Sequence, residues 1–255
     1  IVVNKHYPIR ESEDNEVLLK VLAAGVVCHT DVTLLSGVFL DNRTYILGHE
    51  TCGVPKQPDL ANHYTYSILG LASVLLGVGK DGSFAEYIIA PADQLVPVPD
   101  GVRPEVAAIA SDVGMTAYHA VQNAANVKRG DKVLIFGAGG VGHLALQYAK
   151  HFGATVYVCD FKPAARKLAL ELGATEAFDL IELTNRTTAG FAVDTTIDFV
   201  ANDQTFNLAI AALKGSFTTF PPNQTLVMVC FSADKLAFST SELISFGIQS
   251  TSAVF

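Results

Sequence analysis

The 255-residue chain has no cysteine pair spaced Cys-x-x-Cys; its four cysteines, Cys28, Cys52, Cys159 and Cys230, are scattered. That scatter argues against the disulfide framework of a small secreted protein and fits a reducing compartment, so a cytoplasmic location is expected. Positive charge is also scarce. Lys and Arg number 17 against 25 Asp and Glu, a formal net charge of -8, which offers no electrostatic footprint for nucleic acid or anionic lipid. The longest apolar stretch, Ser67 to Gly79, is broken by glycines and falls short of the ~20 residues a membrane-spanning helix needs. No basic segment followed by an apolar one opens the chain, so no secretory signal is expected. Small-molecule partners are the expectation that remains, for a chain that is half hydrophobic and long enough for one large or two modest domains.

What is present is most informative between Lys132 and Asp160. The apolar run Val133, Leu134, Ile135, Phe136 is short and ends in glycine, as a strand buried on both faces requires. The turn Gly137-Ala138-Gly139-Gly140-Val141-Gly142 follows. From Val141, apolar residues recur at helical spacing through Leu144, Ala145, Tyr148, Ala149 and Phe152, and Gly153 supplies a stop. This is the G-x-G-x-x-G dinucleotide fingerprint between a strand and a helix. Gly137 serves the tight turn, Gly139 lets backbone approach a pyrophosphate, and Gly142 lets helix pack on strand; Gly140 and Val141 lie between, and the helix N-terminus offers free N–H groups. The next strand, Thr155 to Cys159, ends in Asp160, about 20 residues on, where an acid meets a ribose 2′-hydroxyl and favours NAD over NADP. The alternative for Asp160 is a cap on the helix that begins near Pro163.

Upstream, Val17 to Val27 and Phe84 to Ala90 carry strand-type patterning among Gly and Pro, whereas Val133 onward alternates strands and helices. Two architectures are therefore expected, joined near Gly114, with a small-residue helix around Thr116 to Ala125. Downstream, Pro163 starts a helix that Gly173 ends. Glu176 to Leu180, Thr195 to Val200, Leu226 to Cys230 and Ile248 to Ala253 are strand candidates, with a helix near Phe206 to Leu213. The predicted fold class is α/β, a doubly wound parallel sheet of Rossmann type behind a β-rich domain.

The first half also holds Cys28-His29-Thr30-Asp31 and Gly48-His49-Glu50. Thiolate, imidazole and carboxylate are the donors zinc prefers, and a catalytic zinc takes three protein ligands with one position open. The alternative is equally ordinary chemistry: a buried cysteine acting as a small hydrophobe and a histidine acting as a satisfied polar group.

Four ordered stretches resemble the zinc-containing alcohol dehydrogenases of the medium-chain dehydrogenase/reductase superfamily. They are Gly25-Val26-Val27-Cys28-His29-Thr30-Asp31, Leu47-Gly48-His49-Glu50, Gly82-Ser83-Phe84-Ala85-Glu86-Tyr87, and the run from Gly130 to Gly142. The resemblance covers most of the chain except Val54 to Gly79. It implies a GroES-like catalytic domain over residues 1–114 and a dinucleotide-binding Rossmann domain over 115–255. It also implies Cys28 and His49 as zinc ligands, with Asp112 as the third, ahead of Gly114-Met115-Thr116; a helix N-cap is the other reading of Asp112. Glu50 is implied as a carboxylate near the metal. Asp31 is implied as the acid that fixes the tautomer of His49. Thr30 is implied as the hydroxyl that holds the alcohol and passes its proton outward, Thr116 as a neighbour of the nicotinamide, and His29 as a contact of the pyrophosphate. Each of these last four could instead be a residue of a turn. A dimer or tetramer acting on a small alcohol, aldehyde or ketone completes the implied picture.

The family's lobe of four closely spaced cysteines is missing, so one catalytic-type zinc and no structural zinc is expected. Thr33 stands where some relatives carry a relay histidine. The chain ends at Phe255, about where the sixth strand of the cofactor domain should finish, and the catalytic domain is accordingly expected to be incomplete. Two other readings stand beside the NAD-dependent alcohol dehydrogenase. One is a zinc-free NAD(P)H enone or quinone reductase of the same superfamily, and the other is a non-catalytic NAD-binding relative.

Overall fold

The structure, a computed structural model, describes Asn4 and residues 6–26, 29–35, 45–56, 65–68, 76–214 and 224–229, without the side chains of His29 and Thr33. Cys28, Cys230, the strand expected at Ile248 to Ala253 and most of Val54 to Gly79 lie outside the described residues. The chain divides into two compact units between Asp112 and Val113.

The first unit is an antiparallel sheet. Strands β1 (Glu16–Ala24), β2 (Thr51–Pro55), β3 (Tyr66–Ile68), β4 (Tyr87–Pro91) and β5 (Leu95–Pro97) pair in the order β4-β1-β2-β3-β5. Alternation sets which face each strand buries. Val17 and Leu19 of β1 point inward with Ile68, Ile88 and Ala90, and full burial of a side chain such as Leu19 contributes about 1.5–3 kcal/mol. A register shift between Val21 and Ala23 bends β1, which twists the strand locally. Helix α1 (His29–Leu35) follows β1, and α2 (Pro104–Ile109) starts with Pro104 at its first position, where a missing N–H costs nothing. The strand expected from Phe84 begins later, at Tyr87, because Ser83 and Phe84 give their N–H groups to Gly48 and Leu47 instead.

From α2 the helical path continues through a wide π-type turn, Ala110–Gly114, into α3 (Met115–Tyr118) and a second such turn, His119–Ala124. Turns of this kind recur where a helix presents a functional side chain. Asp112 sits in the first of them and is not the first residue of a helix.

The second unit alternates strand and helix: β6 (Lys132–Phe136), α4 (Gly142–His151), β7 (Thr155–Cys159), α5 (Pro163–Glu171), β8 (Glu176–Phe178), α6 (Leu180–Thr188), β9 (Thr195–Asp198), α7 (Asp203–Lys214) and β10 (Thr225–Met228). All pairings are parallel, in the order β10-β9-β6-β7-β8. Winding runs outward from β6 to β8, then returns to β9 on the other side of β6, so the switch point lies between β6 and β9. Strand alternation shares the core between two faces. Val133 and Ile135 pack with Ala145, Leu146 and Ala149 of α4, while Leu134 and Phe136 pack with Leu183 of α6 and Ala209 and Leu213 of α7.

The pattern of Glu176 to Leu180 predicts a strand through Leu180, whereas the structure starts helix α6 at that residue. Asp179 accepts from the N–H groups of Ile181 and Glu182 at 2.9 Å, and Glu182 Oε2 accepts from Asp179 N–H at 2.9 Å. This reciprocal capping box is legible in Asp179-x-x-Glu182 and ends β8 at Phe178. No helix of the described residues is long and apolar enough to cross a membrane.

Candidate active site

The second unit presents the glycine turn at the carboxyl end of β6, at the switch point. Gly137 has φ +81°, and a Cβ there would stand 2.9 Å from Val200 Cγ2. At Gly142 a Cβ would fall inside the carbonyl oxygen of Gly137, so only glycine lets α4 start this close to β6. At Gly139, by contrast, nothing lies within 4 Å of the Cβ position. That exposed glycine, with Gly140 and Val141 after it, leaves space over the backbone at the start of α4.

Asp160 is tied to this turn. Its Oδ2 accepts from Ala138 N–H at 2.8 Å and its Oδ1 from Lys162 N–H at 2.8 Å, while Arg166 donates to the Asp160 carbonyl at 2.8 Å. Beside the ribose binding and helix capping that the sequence offers for it, the carboxylate bridges the ends of β6 and β7. A carboxylate offers about four acceptor positions, so two remain for hydroxyl donors.

A further carboxyl, unforeseen, closes the neighbouring strand. Asp198, fully buried at the end of β9, accepts from Val200 and Ala201 N–H at 2.8 and 2.9 Å. It thereby holds Ala201 at φ +52° and shapes the turn that Gly137 faces. Burial pushes its carboxyl above the ordinary range, and the two N–H donors pull it partly back. Its signal was a lone acid ending an apolar strand. Thr116, the residue expected beside the nicotinamide, is half-buried in α3.

The first unit gathers four buried ionisable side chains, Asp31, His49, Glu50 and Asp112. His49 stands between two acids: Nδ1 lies 3.5 Å from Asp31 Oδ1 and Nε2 lies 3.1 Å from Asp112 Oδ2. Asp31 and the half-buried Thr30 ride on α1, which His29 opens. Two motifs that are distant in sequence hold the backbone on either side of His49. Gly82 N–H donates to Ile46 O, Ser83 N–H to Gly48 O and Phe84 N–H to Leu47 O, and Gly48, at φ +100°, has no room for a Cβ beside the Phe84 ring. Gly25 N–H donates to Glu50 O at 3.0 Å, and a Cβ at Gly25 would overlap the Glu50 carboxylate. Gly25 is thus docked onto the histidine-bearing motif.

The donor set fits a metal. A neutral imidazole carries one N–H, so of the two His49 nitrogens beside Asp31 and Asp112 one turns a lone pair to a carboxylate oxygen, an arrangement that a proton or a cation between them would relieve. Nitrogen and oxygen ligands at tetrahedral angles on zinc stand roughly 3.3 Å apart, close to the 3.1 Å seen here. Cys28 lies outside the described residues, and among the described residues no group of three or more His, Cys, Asp or Glu side chains is placed to hold a metal ion. The two described cysteines are elsewhere. Burial pushes Cys52 up to about 11 and Cys159 up to about 12, which leaves both as inert thiols.

An antiparallel catalytic-type unit followed by a doubly wound unit with the dinucleotide fingerprint is the architecture of the medium-chain dehydrogenases and reductases. Residues 13–100 match the alcohol dehydrogenase GroES-like domain, and residues 140–252 match the zinc-binding dehydrogenase family. The chain is 33% identical over 193 residues to an alcohol dehydrogenase of Geobacillus stearothermophilus, covering 66% of this chain and 56% of that one. It therefore spans about half the length of the curated relatives it matches. Among solved structures it is similar to the acetophenone reductase of Geotrichum candidum in complex with NAD, with 29% identity and TM-score 0.80 over 94% of this chain and 75% of that one. It is also similar to the alcohol dehydrogenase of Aeropyrum pernix, with 28% identity and TM-score 0.79 over 96% and 79%. The chain belongs to the alcohol dehydrogenase family of the medium-chain dehydrogenase/reductase superfamily.

Proposed function

We propose that the protein is an NAD-dependent, zinc-assisted alcohol dehydrogenase that interconverts a primary or secondary alcohol with its aldehyde or ketone. The observation that supports this reading is buried His49 between two acids, with Asp31 3.5 Å from Nδ1 and Asp112 3.1 Å from Nε2. Cys28, His49 and Asp112 would hold the ion. When bound, zinc supplies Lewis acidity toward the substrate oxygen and the nicotinamide supplies the hydride acceptor.

The chain's own residues do the rest. Asp31 keeps the proton of His49 on Nδ1, which leaves Nε2 as a donor atom for the ion. Glu50 places a buried carboxyl group at the residue next to His49. The Thr30 hydroxyl receives the substrate proton and passes it outward. In the second unit, the Gly137 to Gly142 turn gives the pyrophosphate its open backbone, with Gly139, Gly140 and Val141 nearest the ligand. Asp160 uses its two remaining acceptor positions for the ribose hydroxyls and repels a 2′-phosphate. His29 meets the pyrophosphate and Thr116 the nicotinamide.

The test is zinc content per chain alongside alcohol-dependent formation of NADH. The expected result is about one zinc per chain with turnover, and loss of both in Cys28→Ala and Asp112→Ala while NADH affinity is kept. A fully active zinc-free protein would replace this reading with the enone or quinone reductase. Tight NADH binding without turnover on any alcohol or carbonyl would leave a non-catalytic binder.

A further inference from the structure

The residue that follows the last glycine of the fingerprint, His143, makes a contact that phosphate-binding turns do not require. Its ring Nδ1 lies 2.7 Å from the carbonyl oxygen of Gly139, and its backbone N–H donates to the same oxygen at 3.1 Å. A carbonyl only accepts, so the ring nitrogen donates and Nδ1 carries hydrogen.

The consequence follows from peptide planarity. In a trans peptide the C=O and the following N–H point in opposite directions. Two donors on the first turn of α4 draw the Gly139 carbonyl toward the helix, so the Gly140 N–H is turned away from it. This peptide is flanked by two glycines, the residues with the widest backbone freedom. Apart from the ring, the His143 backbone N–H holds this carbonyl at 3.1 Å. The ring supplies a second donor from a residue at helical spacing, i to i+4.

We infer that His143 is a positioning residue that locks the Gly139–Gly140 peptide with its N–H presented to the pyrophosphate of the dinucleotide. The inference rests on the dinucleotide reading above and adds a device to it. Donors fixed before the ligand arrives bind it more tightly than donors that must be ordered on arrival.

The experiment compares wild type, His143→Leu and His143→Asn in titrations with NADH, ADP-ribose and adenosine. Leucine removes the ring donor, whereas the Asn amide places an N–H near the position of Nδ1. His143→Leu is expected to weaken NADH and ADP-ribose about 10-fold, the factor that about 1.4 kcal/mol represents. Adenosine, which lacks the pyrophosphate, is expected to bind unchanged, and Asn is expected to restore most of the loss. In the wild type, nitrogen NMR of the His143 ring is expected to show Nδ1 protonated, a readout that needs no variant to fold. Wild-type NADH affinity in His143→Leu, an equal loss for adenosine, or a ring protonated only at Nε2 would overturn the inference and leave dinucleotide binding intact. A wild-type protein that binds neither NADH nor ADP-ribose would overturn both.

Discussion

Gly142 and Gly137 touch so closely that no side chain fits between them: a Cβ on Gly142 would occupy the place of the Gly137 carbonyl oxygen. This is where α4 leans on the end of β6. Gly142→Ala must push the helix off the strand and is expected to cost about 3 kcal/mol, at the upper end for overpacking. Gly139→Ala, whose Cβ meets nothing within 4 Å, is expected to change stability by about 0.5 kcal/mol or less, while weakening NADH. Urea unfolding and NADH titration of both variants check the pair. Equal stability losses would mean that the turn is not packed as described.

Asp160 joins two roles that separate on mutation. Asp160→Ala strands the Ala138 and Lys162 N–H groups and is expected to cost about 1–2 kcal/mol of stability. It also removes the charge that opposes a 2′-phosphate. NADH affinity should fall about 10-fold with NADPH affinity little changed, a loss of about 1.4 kcal/mol. Parallel titrations with the two coenzymes decide this; an unaltered preference would assign selectivity to other residues.

The buried Asp198 predicts a pH dependence with a definite sign. Its folded pKa lies above the ordinary 3.8 because burial penalises the charge. As pH rises above 3.8, the unfolded chain gives up this proton first and the folded state binds more protons. Stability contributed by this group is therefore full below 3.8 and declines with rising pH until the folded carboxyl also ionises. Each unit of elevation corresponds to about 1.36 kcal/mol. Asp198→Asn removes the titration, so the stability of wild type minus variant should fall between pH 4 and the folded pKa. A difference that stays flat in urea melts across that range would contradict the assignment.

The described thiols should be silent. With Cys52 at about 11 and Cys159 at about 12 through burial, neither forms appreciable thiolate near pH 8. Labelling with dithionitrobenzoate, mapped by peptide mass, is expected to spare both until urea is added. Modification of either in the folded protein would show that its strand opens readily.

Some of this was legible in the chain because the governing interactions are local. Thr155 to Cys159 reads as a buried strand from its own alternation, and Gly153 and Gly173 stop helices by taking positive φ. The G-x-G-x-x-G turn is local as well. Other signals are local too: the Asp179-x-x-Glu182 box marks α6, and Gly139 and His143 stand at i to i+4 spacing. Beyond these, no spacing rule announces that Ser83 and Phe84 hold the Leu47 and Gly48 carbonyls, nor that Asp160 reaches back to Ala138.

By itself, the sequence determined the two architectures, the strand–turn–helix grammar of the cofactor domain and the kinds of donor available for a metal, since each follows from neighbours within a few turns of chain. Only the tertiary structure decided that His49 stands between Asp31 and Asp112, and that a π-type turn, not a helix cap, presents Asp112. The reason is physical: facing donor atoms depends on how α1, the Gly48 turn and the 104–114 helix pack together, and packing joins residues that no period along the chain relates.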